Sequence, residues 1–286
     1  MSTILKETRL IMNQYHIKAN KSLGQNFLIR EEVIEAMIDS SQIKKEDLVI
    51  EIGPGLGTLT KNLLKKAGKV ICIELDKNMI NILENRFSNE DNFEILNQDV
   101  LKVDLKNLIE TKKNTGEIKD VKIVANLPYY ITTPIIMKLL EEELPLQSIT
   151  VMIQKEVADR LIAIPGEKET GSITYSVYYY AEAQDIVEVP KESFIPEPEV
   201  TSKVIKLTIR KEPPVNIKQK DTMFHIIKCA FMQRRKTLLN ALVNTKVFSS
   251  KQEGIKILEQ LDLDTNIRPE KLKLEDYANI AKLTHK

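Results

Sequence analysis

The sequence is poor in cysteine and has no long apolar run, and both absences limit what it encodes. There are two cysteines among 286 residues. Cys72 falls in a predicted strand and Cys229 in a predicted helix, and their spacing fits neither a disulfide framework nor a metal site. No apolar run approaches membrane-spanning length, and Lys6, Glu7 and Arg9 interrupt any secretory signal core. We therefore expect a soluble, cytoplasmic protein with no bound metal.

Acidic residues are missing from one long stretch, although the formal net charge of the whole chain is only +1. Thr222 to Gln252 contains no Asp or Glu. The cations in that stretch are Lys228, Arg234, Arg235, Lys236, Lys246 and Lys251. A basic segment inside a nearly neutral protein favours contact with a phosphate backbone, and a solvated helix face is the alternative.

Glycine is also sparse, with nine residues, but it is concentrated in Val49 to Gly57, which reads VIEIGPGLG. The β-branched run predicts a buried parallel strand, and the glycines let the backbone turn tightly against a ligand. A helix is predicted over Thr58 to Lys66, and a second strand over Lys69 to Leu75. That strand ends in Glu74, so the order of elements predicts a nucleotide-binding βαβ unit.

The glycine spacing distinguishes between ligands. Gly53, Gly55 and Gly57 read G-x-G-x-G, whereas a dinucleotide fold uses G-x-G-x-x-G to place helix N–H groups on a pyrophosphate. Glu51, just upstream, would repel phosphate. The pattern is similar to the turn of S-adenosylmethionine-dependent methyltransferases, whose cofactor carries a sulfonium cation and an amino-acid tail. Glu74 is then placed to accept hydrogen bonds from both ribose hydroxyls; a glycine-rich turn without a ligand is the alternative.

Polar residues also follow the third and fourth predicted strands. Asn92 to Asn97 is the third strand, and Asp99 follows it as a candidate acceptor for the exocyclic amine of the cofactor's adenine. By itself, Asp99 is more typical of a turn or a helix cap. Val121 to Ala125 is the fourth strand and runs directly into Asn126 to Tyr129. Because the carboxyl ends of strands around a switch point line the ligand crevice, these groups should meet there.

The tetrapeptide Asn-Leu-Pro-Tyr suits the methylation of an amine on adenine. The N6 lone pair of adenine is delocalised into the ring and attacks poorly unless acceptors hold its two hydrogens. The Asn126 side-chain oxygen and the Leu127 carbonyl are candidate acceptors, and Pro128 restricts the preceding residue to an extended conformation. Tyr129 offers a face for stacking on the base. An Asn-X-Pro turn after a strand, with no catalytic role, is the alternative.

Three further segments carry expectations. Thr8 to Arg30 is a basic N-terminal arm, within which Gln25 to Leu28 can fold over the cofactor. Tyr175 to Tyr180 has the apolar density of a buried helix, with base stacking as the alternative. Phe194 lies in a loop stiffened by two prolines, where an aromatic can stack on an extruded base, and a core aromatic is the alternative.

Composition also predicts a division of the chain. Lys211 to Pro214 reads as a linker, and apolar residues at helical spacing follow it without strand-like alternation. We therefore expect a first domain over residues 1–210, including an arm over 1–30, and a helical RNA-binding domain over residues 211–286. The expected contacts with RNA are Lys18, Lys21, Arg234, Arg235 and Lys236.

An ordered set of motifs closely resembles the ribosomal RNA adenine dimethyltransferases, the kasugamycin-sensitivity family that modifies 16S rRNA. The resemblance runs from about Lys18 to Leu242. The motifs are KSLGQNFL, EIGPGLGTLT, the acids of IELD and NQDV, NLPYYITTPI, MIQKEVADRL, FIPEPEVTSKV and AFMQRRKTLLNAL. It implies an α/β fold, with a Rossmann-like S-adenosylmethionine-dependent methyltransferase sheet and a small C-terminal all-helical domain.

The resemblance also implies roles for individual residues. The cofactor contacts carried over are Asn26, Leu28, Gly53, Gly55, Glu74, Asp99 and Asn126. The target adenine is expected among Asn126, Leu127, Pro128, Tyr129 and Phe194. The implied cofactor is S-adenosyl-L-methionine, and no metal is implied.

The implied reaction is the dimethylation of N6 on two adjacent adenosines in a hairpin near the 3′ end of 16S rRNA, by a monomer acting on the small subunit or its precursor. One alternative is the antibiotic-resistance branch that methylates 23S rRNA. FIPEPEV and QRRKTLLNAL favour the 16S branch. A non-catalytic ribosome-assembly factor is a second alternative, which the intact Glu74 and Asn126 to Tyr129 disfavour. A DNA N6-adenine methyltransferase is disfavoured because no DNA-reading domain is evident.

Overall fold

A computed structural model of the chain describes residues 3–20, 24–114 and 116–284. The chain divides into two compact units, one formed by residues up to 158 with 183–209, and the other by residues 159–182 with those from 210 onward. The predicted domain boundary at residue 210 differs from this division in one segment, because residues 159–182 belong to the second unit. That the two parts act as separate domains stays a prediction.

The strands of the described residues form two sheets. They are β1 (Phe27–Leu28), β2 (Leu48–Ile52), β3 (Lys69–Glu74), β4 (Phe93–Asn97), β5 (Val121–Asn126), β6 (Ser148–Gln154), β7 (Ala181–Val189), β8 (Phe194–Ile195) and β9 (Ser202–Ile209). The larger sheet has seven strands in the order β4-β3-β2-β5-β6-β9-β7, and β1 pairs with β8 in a separate two-stranded sheet. Strands β4, β3, β2, β5 and β6 run parallel, whereas β9 is antiparallel to β6. The predicted α/β fold class is confirmed.

The strand order reverses direction between β2 and β5. From β2 the chain proceeds outward to β3 and β4, then returns to place β5 on the other side of β2. The carboxyl ends of β2 and β5 therefore flank a topological switch point, which is where open α/β sheets bind ligands. All five residues of β2 are buried, as expected for a central strand covered on both faces.

The described residues form twelve α-helices, and the helix predicted over Thr58 to Lys66 corresponds to the third of them. They are α1 (Thr3–Gln14), α2 (Glu31–Ser41), α3 (Thr60–Lys66), α4 (Lys77–Arg86), α5 (Leu105–Lys113), α6 (Thr132–Glu141), α7 (Lys155–Ile162), α8 (Ser172–Tyr180), α9 (Lys220–Met232), α10 (Leu238–Asn244), α11 (Lys251–Gln260) and α12 (Leu274–Thr284). Helices α1 and α5 were not predicted, and the N-terminal segment was expected only as a basic arm. Glu7 forms ion pairs with Lys61 and Arg86, which attach α1 to the rest of the first unit.

The second unit is built around a cluster of buried aromatic and aliphatic side chains. Tyr175 of α8 is fully buried, and its hydroxyl donates to the carbonyls of Pro269 at 3.2 Å and Leu272 at 2.7 Å. Tyr277 of α12 lies edge-on to Tyr175, with ring centroids 5.0 Å apart. The buried-helix interpretation of the tyrosine-rich run is therefore confirmed.

Candidate functional site

A pocket opens at the switch point, at the carboxyl ends of β2, β3, β4 and β5. The residues that line it come from five segments of the first unit. They are Gly24, Gln25, Asn26, Phe27, Leu28, Glu51, Ile52, Gly53, Pro54, Gly55, Leu56, Thr58, Leu59, Ile73, Glu74, Leu75, Gln98, Asp99, Val100, Asn126, Leu127, Pro128, Tyr129, Tyr130 and Ile131. The acids are Glu51, Glu74 and Asp99, and among the described residues no lysine, arginine or histidine lines the pocket.

The glycine turn brings backbone close to this pocket. Gly53 has φ +67°, and its N–H donates to the carbonyl of Ile73 at 3.0 Å. Gly55 has φ +56°, and a Cβ there would lie 3.3 Å from the ring of Phe27. A side chain at Gly55 would therefore be strained and would press on the segment that covers the pocket.

Glu74 is held rigidly at the tip of β3. Its Oε1 accepts hydrogen bonds from the N–H groups of Leu75 and Asp76, each at 2.8 Å, and its Oε2 accepts one from Gly55 at 3.3 Å. Burial raises the pKa of this carboxyl, and the three backbone donors oppose that rise. Each carboxylate oxygen can accept more than one hydrogen bond, so the backbone contacts orient Glu74 without consuming its acceptor capacity.

Asp99 is a helix cap, as one of its two interpretations expected, and the contact with the adenine amine stays a prediction. Its Oδ1 accepts a hydrogen bond from the N–H of Leu101 at 3.0 Å, which caps a short 3₁₀ helix over Val100–Lys102. The same side chain lines the pocket. The cap fixes the carboxylate at the end of β4, where it is available to a ligand.

Gln25, Asn26 and strand β1 all line the pocket. That they fold over a cofactor stays a prediction. Gln25 Nε2 donates to Asp76 Oδ2 at 2.9 Å, and Asn126 Nδ2 donates to the carbonyl of Asn26 at 3.2 Å. Leu28 lines the pocket and is also buried in the core of the first unit. These bonds join the segment over the pocket to Asp76, the N-cap of α4, and to the end of β5.

The Asn126 to Tyr129 tetrapeptide begins at the carboxyl end of β5. Since the Asn126 amide nitrogen donates to Asn26, the side-chain oxygen is the acceptor that remains for a ligand. Leu127 is anchored through its N–H to the carbonyl of Met152 at 3.1 Å. Thr132 Oγ1 donates to the carbonyl of Pro128 at 3.0 Å, so that carbonyl is turned toward α6. The tetrapeptide is thus held at both ends.

Tyr129 is fixed by a neighbour that the sequence analysis did not single out. Its hydroxyl lies 2.5 Å from Oγ of Ser202, the first residue of β9. Burial raises the pKa of Tyr129, so it is a neutral phenol at physiological pH. Tyr130, which lines the mouth of the pocket and is 55% exposed, was also not predicted.

Two apolar residues beside the acids were missed as well. Leu75 follows Glu74, Val100 follows Asp99, and both line the pocket. Their positions in the sequence could have predicted this, because a residue that directly follows an acid at a strand tip lies beside the same part of the pocket.

Glu51 lines the pocket but was predicted only to repel phosphate. It is 1% exposed, and its Oε2 accepts hydrogen bonds from Thr60 Oγ1 at 2.6 Å and from Cys72 Sγ at 3.5 Å. Burial raises the pKa of Glu51 to about 8, although both hydrogen bonds oppose the rise. In the ligand-free pocket this carboxyl is therefore mostly protonated at neutral pH.

Phe194 does not lie in an open loop, and this expectation was wrong. It is 1% exposed, forms β8 and pairs with Leu28 of β1. It does not line the pocket, because the β1–β8 pairing packs its ring into the core of the first unit. Its stacking on a target base stays a prediction.

The described cations that were predicted to contact RNA are not among the residues that line the pocket. Arg234, Arg235 and Lys236 are exposed, and they lie in the turn between α9 and α10 and not on a helix. Their contact with RNA stays a prediction. Lys18 is exposed and borders a shallow polar depression next to α4. Lys21 lies outside the described residues.

No described helix has the length and apolarity needed to cross a bilayer. In the part of the chain that the structure describes, histidine, cysteine and carboxylate side chains form no group able to hold a metal ion.

Comparison with known proteins gives one consistent result. A family profile described as "Ribosomal RNA adenine dimethylase" matches residues 16–286. The chain is 48% identical over 276 residues to ribosomal RNA small subunit methyltransferase A of Alkaliphilus metalliredigens, covering 96% of this chain and 95% of that protein. It is 46% identical to the protein of the same name from Bacillus pumilus, covering 98% of this chain and 96% of that protein.

Solved structures resemble the fold as well. A dimethyladenosine transferase from Plasmodium falciparum superimposes with a TM-score of 0.73 at 26% identity, covering 89% of this chain and 95% of that chain. The 23S rRNA methyltransferase ErmE superimposes with a TM-score of 0.68 at 20% identity, covering 91% of this chain and 100% of that chain. At that identity the second likeness shows only the shared fold.

Proposed function

The chain belongs to the ribosomal RNA adenine dimethylase family, and we propose that it dimethylates N6 of two adjacent adenosines in a hairpin near the 3′ end of 16S rRNA. The observation that carries the proposal is the position of Asn126 to Tyr129 at the switch-point pocket. The relatives named as small subunit methyltransferases support the choice of RNA, since they match nearly the whole chain. The small subunit or its precursor is the proposed partner, and a monomer the proposed acting form.

The chemistry of the pocket fits S-adenosyl-L-methionine. Its lining contains three carboxyl groups and no cation among the described residues, which suits a cationic ligand and disfavours a phosphate. Glu74 would hold the ribose hydroxyls and Asp99 the adenine amine, while Gly53 and Gly55 allow close backbone approach. Asn26 and Leu28 would cover the tail. When bound, the cofactor supplies a methyl group on a positively charged sulfur.

The residues of this chain act on the attacking nitrogen. Asn126 Oδ1 and the Leu127 carbonyl accept hydrogen bonds from the N6 hydrogens, which pulls the nitrogen toward a tetrahedral shape and localises its lone pair. Pro128 holds Leu127 extended so that its carbonyl keeps this direction. These acceptors are preorganised, because Asn126 and Leu127 are already hydrogen-bonded to Asn26 and Met152.

The target base is held by stacking. Tyr129 offers one face, and its hydrogen bond to Ser202 anchors the hydroxyl end of the side chain. We assign the second face to Phe194, which requires the β1–β8 pair to move and uncover its ring. Arg234, Arg235, Lys236, Lys18 and Lys21 are the proposed contacts to the RNA backbone.

The test is to incubate the protein with under-methylated small subunits and labelled S-adenosylmethionine, and to identify modified nucleotides by mass spectrometry. We expect dimethyladenosine at two adjacent positions. The inactive control is Asn126→Ala. Label only on large subunits would instead favour the 23S branch, and no label on either subunit would favour a non-catalytic assembly factor.

A further inference from the structure

Glu51 is a buried acid in the pocket, and none of the steps proposed for methyl transfer uses it. It lies in the buried strand β2, two residues before Gly53. Neither the ribose nor the adenine of the cofactor needs it, since Glu74 and Asp99 serve those groups. A carboxyl that is 1% exposed and lines a ligand pocket requires an explanation of its own.

No cation compensates Glu51 in the part of the chain that the structure describes. The titratable groups that act on it are Cys72 and Glu74, both on the neighbouring strand β3. The buried ion pair of Asp47 and Lys122 lies at the amino ends of β2 and β5, whereas Glu51 lies near the carboxyl end of β2. Glu51 therefore becomes ionised at low cost only if a ligand brings positive charge into the pocket.

The hydrogen bonds of Glu51 involve only one of its two oxygens. Both donors, Thr60 Oγ1 and Cys72 Sγ, reach Oε2. Among the described residues no donor reaches Oε1. When no positive charge lies beside Glu51, this is therefore the oxygen that would carry the proton. Burial supports that state, since it raises the pKa of Glu51 to about 8.

We infer that Glu51 makes the pocket distinguish the charged cofactor from its neutral product, and that it loses its proton when the charged form binds. The inference rests on the proposed function. Glu51 releases one proton to solvent as positive charge enters, and the carboxylate stabilises that charge. After transfer the sulfonium has become an uncharged thioether, so Glu51 takes a proton back from solvent and the product is held less tightly. An enzyme that must exchange cofactor for each methyl group benefits from this preference.

The test is calorimetric titration of the full chain with S-adenosylmethionine and with S-adenosylhomocysteine, in two buffers of different ionisation enthalpy. For wild type at pH 7 we expect release of roughly half a proton or more with S-adenosylmethionine, less with S-adenosylhomocysteine, and little with either above pH 9. In Glu51→Gln the release should disappear, and the preference for the cofactor over the product should fall by about tenfold.

Two further variants sharpen the test. Asp99→Asn removes another carboxylate from the same pocket, and should weaken binding while leaving the proton release intact. Thr60→Val removes a hydrogen bond that lowers the pKa of Glu51, so the pH at which release occurs should rise. Persistence of the full proton release in Glu51→Gln, or an unchanged ratio of the two affinities, overturns the inference.

Stability gives a readout that requires no ligand. The folded-state pKa of Glu51 lies above its ordinary value of 4.5, so its contribution to stability is full below that value and is lost as pH rises toward about 8. The melting temperature of the ligand-free wild type should therefore decline more steeply over this range than that of Glu51→Gln. Equal slopes count against the inference, whereas failure of wild type to bind S-adenosylmethionine at all contradicts the proposed function instead.

Discussion

The pocket of the first unit and the acid-free stretch of the second unit have opposite charge and opposite exposure. The pocket collects three carboxyl groups around buried backbone, with no cation in its described lining. The acid-free stretch has its cations fully at the surface, and its Arg234, Arg235 and Lys236 form no ion pair among the described residues. A net charge of +1 conceals both features. The contrast teaches that charge must be assigned by location, since each region suits the different ligand proposed for it: a sulfonium cation for the pocket and a phosphate chain for the acid-free stretch.

The largest expected effect comes from a neutral residue at the edge of the acidic pocket. Asn126→Ala should slow methyl transfer by ~100-fold or more, the scale seen when one preorganised polar contact to a transition state is removed. Single-turnover rates with small subunits measure it, and exposed Asn107→Ala is the matched control. Subunit binding should survive and some loss of cofactor affinity is allowed. Activity within a few-fold of wild type would remove Asn126 from the mechanism.

The second-largest expected effect is a loss of cofactor affinity when one acid of the pocket is removed. Glu74→Ala should weaken S-adenosylmethionine binding by ~1.5 to 3 kcal/mol, because charge-assisted hydrogen bonds are left unmade. Calorimetric titration measures the change. Glu84→Ala removes an exposed carboxylate of α4 and should have no effect. An affinity in Glu74→Ala equal to that of wild type would exclude Glu74 from the site.

The salt dependence of RNA binding tests the basic residues of the acid-free stretch. Replacing Arg234 and Arg235 by Ala should weaken RNA binding on the order of tenfold, and reduce the slope of log K against log salt by ~1 per residue. Cofactor affinity should stay unchanged. Lys65→Ala with Lys66→Ala removes two exposed cations of α3 as a control. If the variant with both arginines replaced keeps the wild-type salt slope, Lys18 and Lys21 become the next candidates for contact with the RNA backbone.

The smallest effect concerns a residue in neither charged region. Phe194→Leu keeps an apolar side chain in the core, so stability should change by less than about 1.5 kcal/mol. If the ring stacks on the target base, transfer should slow by about fivefold, corresponding to ~1 kcal/mol of lost stacking. Cofactor affinity and salt slope should both match wild type. A normal rate with normal stability would assign Phe194 to packing alone.

The sequence was most informative where one local pattern determines position. Glycine turns and acids at strand tips predicted the lining of the pocket, since parallel strands must end at the same edge of a sheet. Glu74, Asp99 and Asn126 all lie where that rule puts them. Their roles stay predictions, because lining a pocket does not by itself identify a ligand.

The sequence was least informative where position depends on pairing between distant segments. Phe194 is buried because β8 pairs with β1, which lies more than 160 residues earlier in the chain. Ser202 reaches Tyr129 only because β9 pairs with β6 next to β5. The helix α1 was missed because its attachment depends on Glu7, Lys61 and Arg86 from three separate segments.

The pairing of β1 with β8 also has a consequence for synthesis on the ribosome. Every residue that lines the pocket precedes Thr132, whereas β8 begins at Phe194. The nascent chain therefore contains the whole floor of the pocket well before the strand that secures its cover has emerged. Phe27 and Leu28 obtain their strand partner late, and in a chain stalled before Phe194 the segment over the pocket would have to rely on the hydrogen bonds to Asp76 and from Asn126.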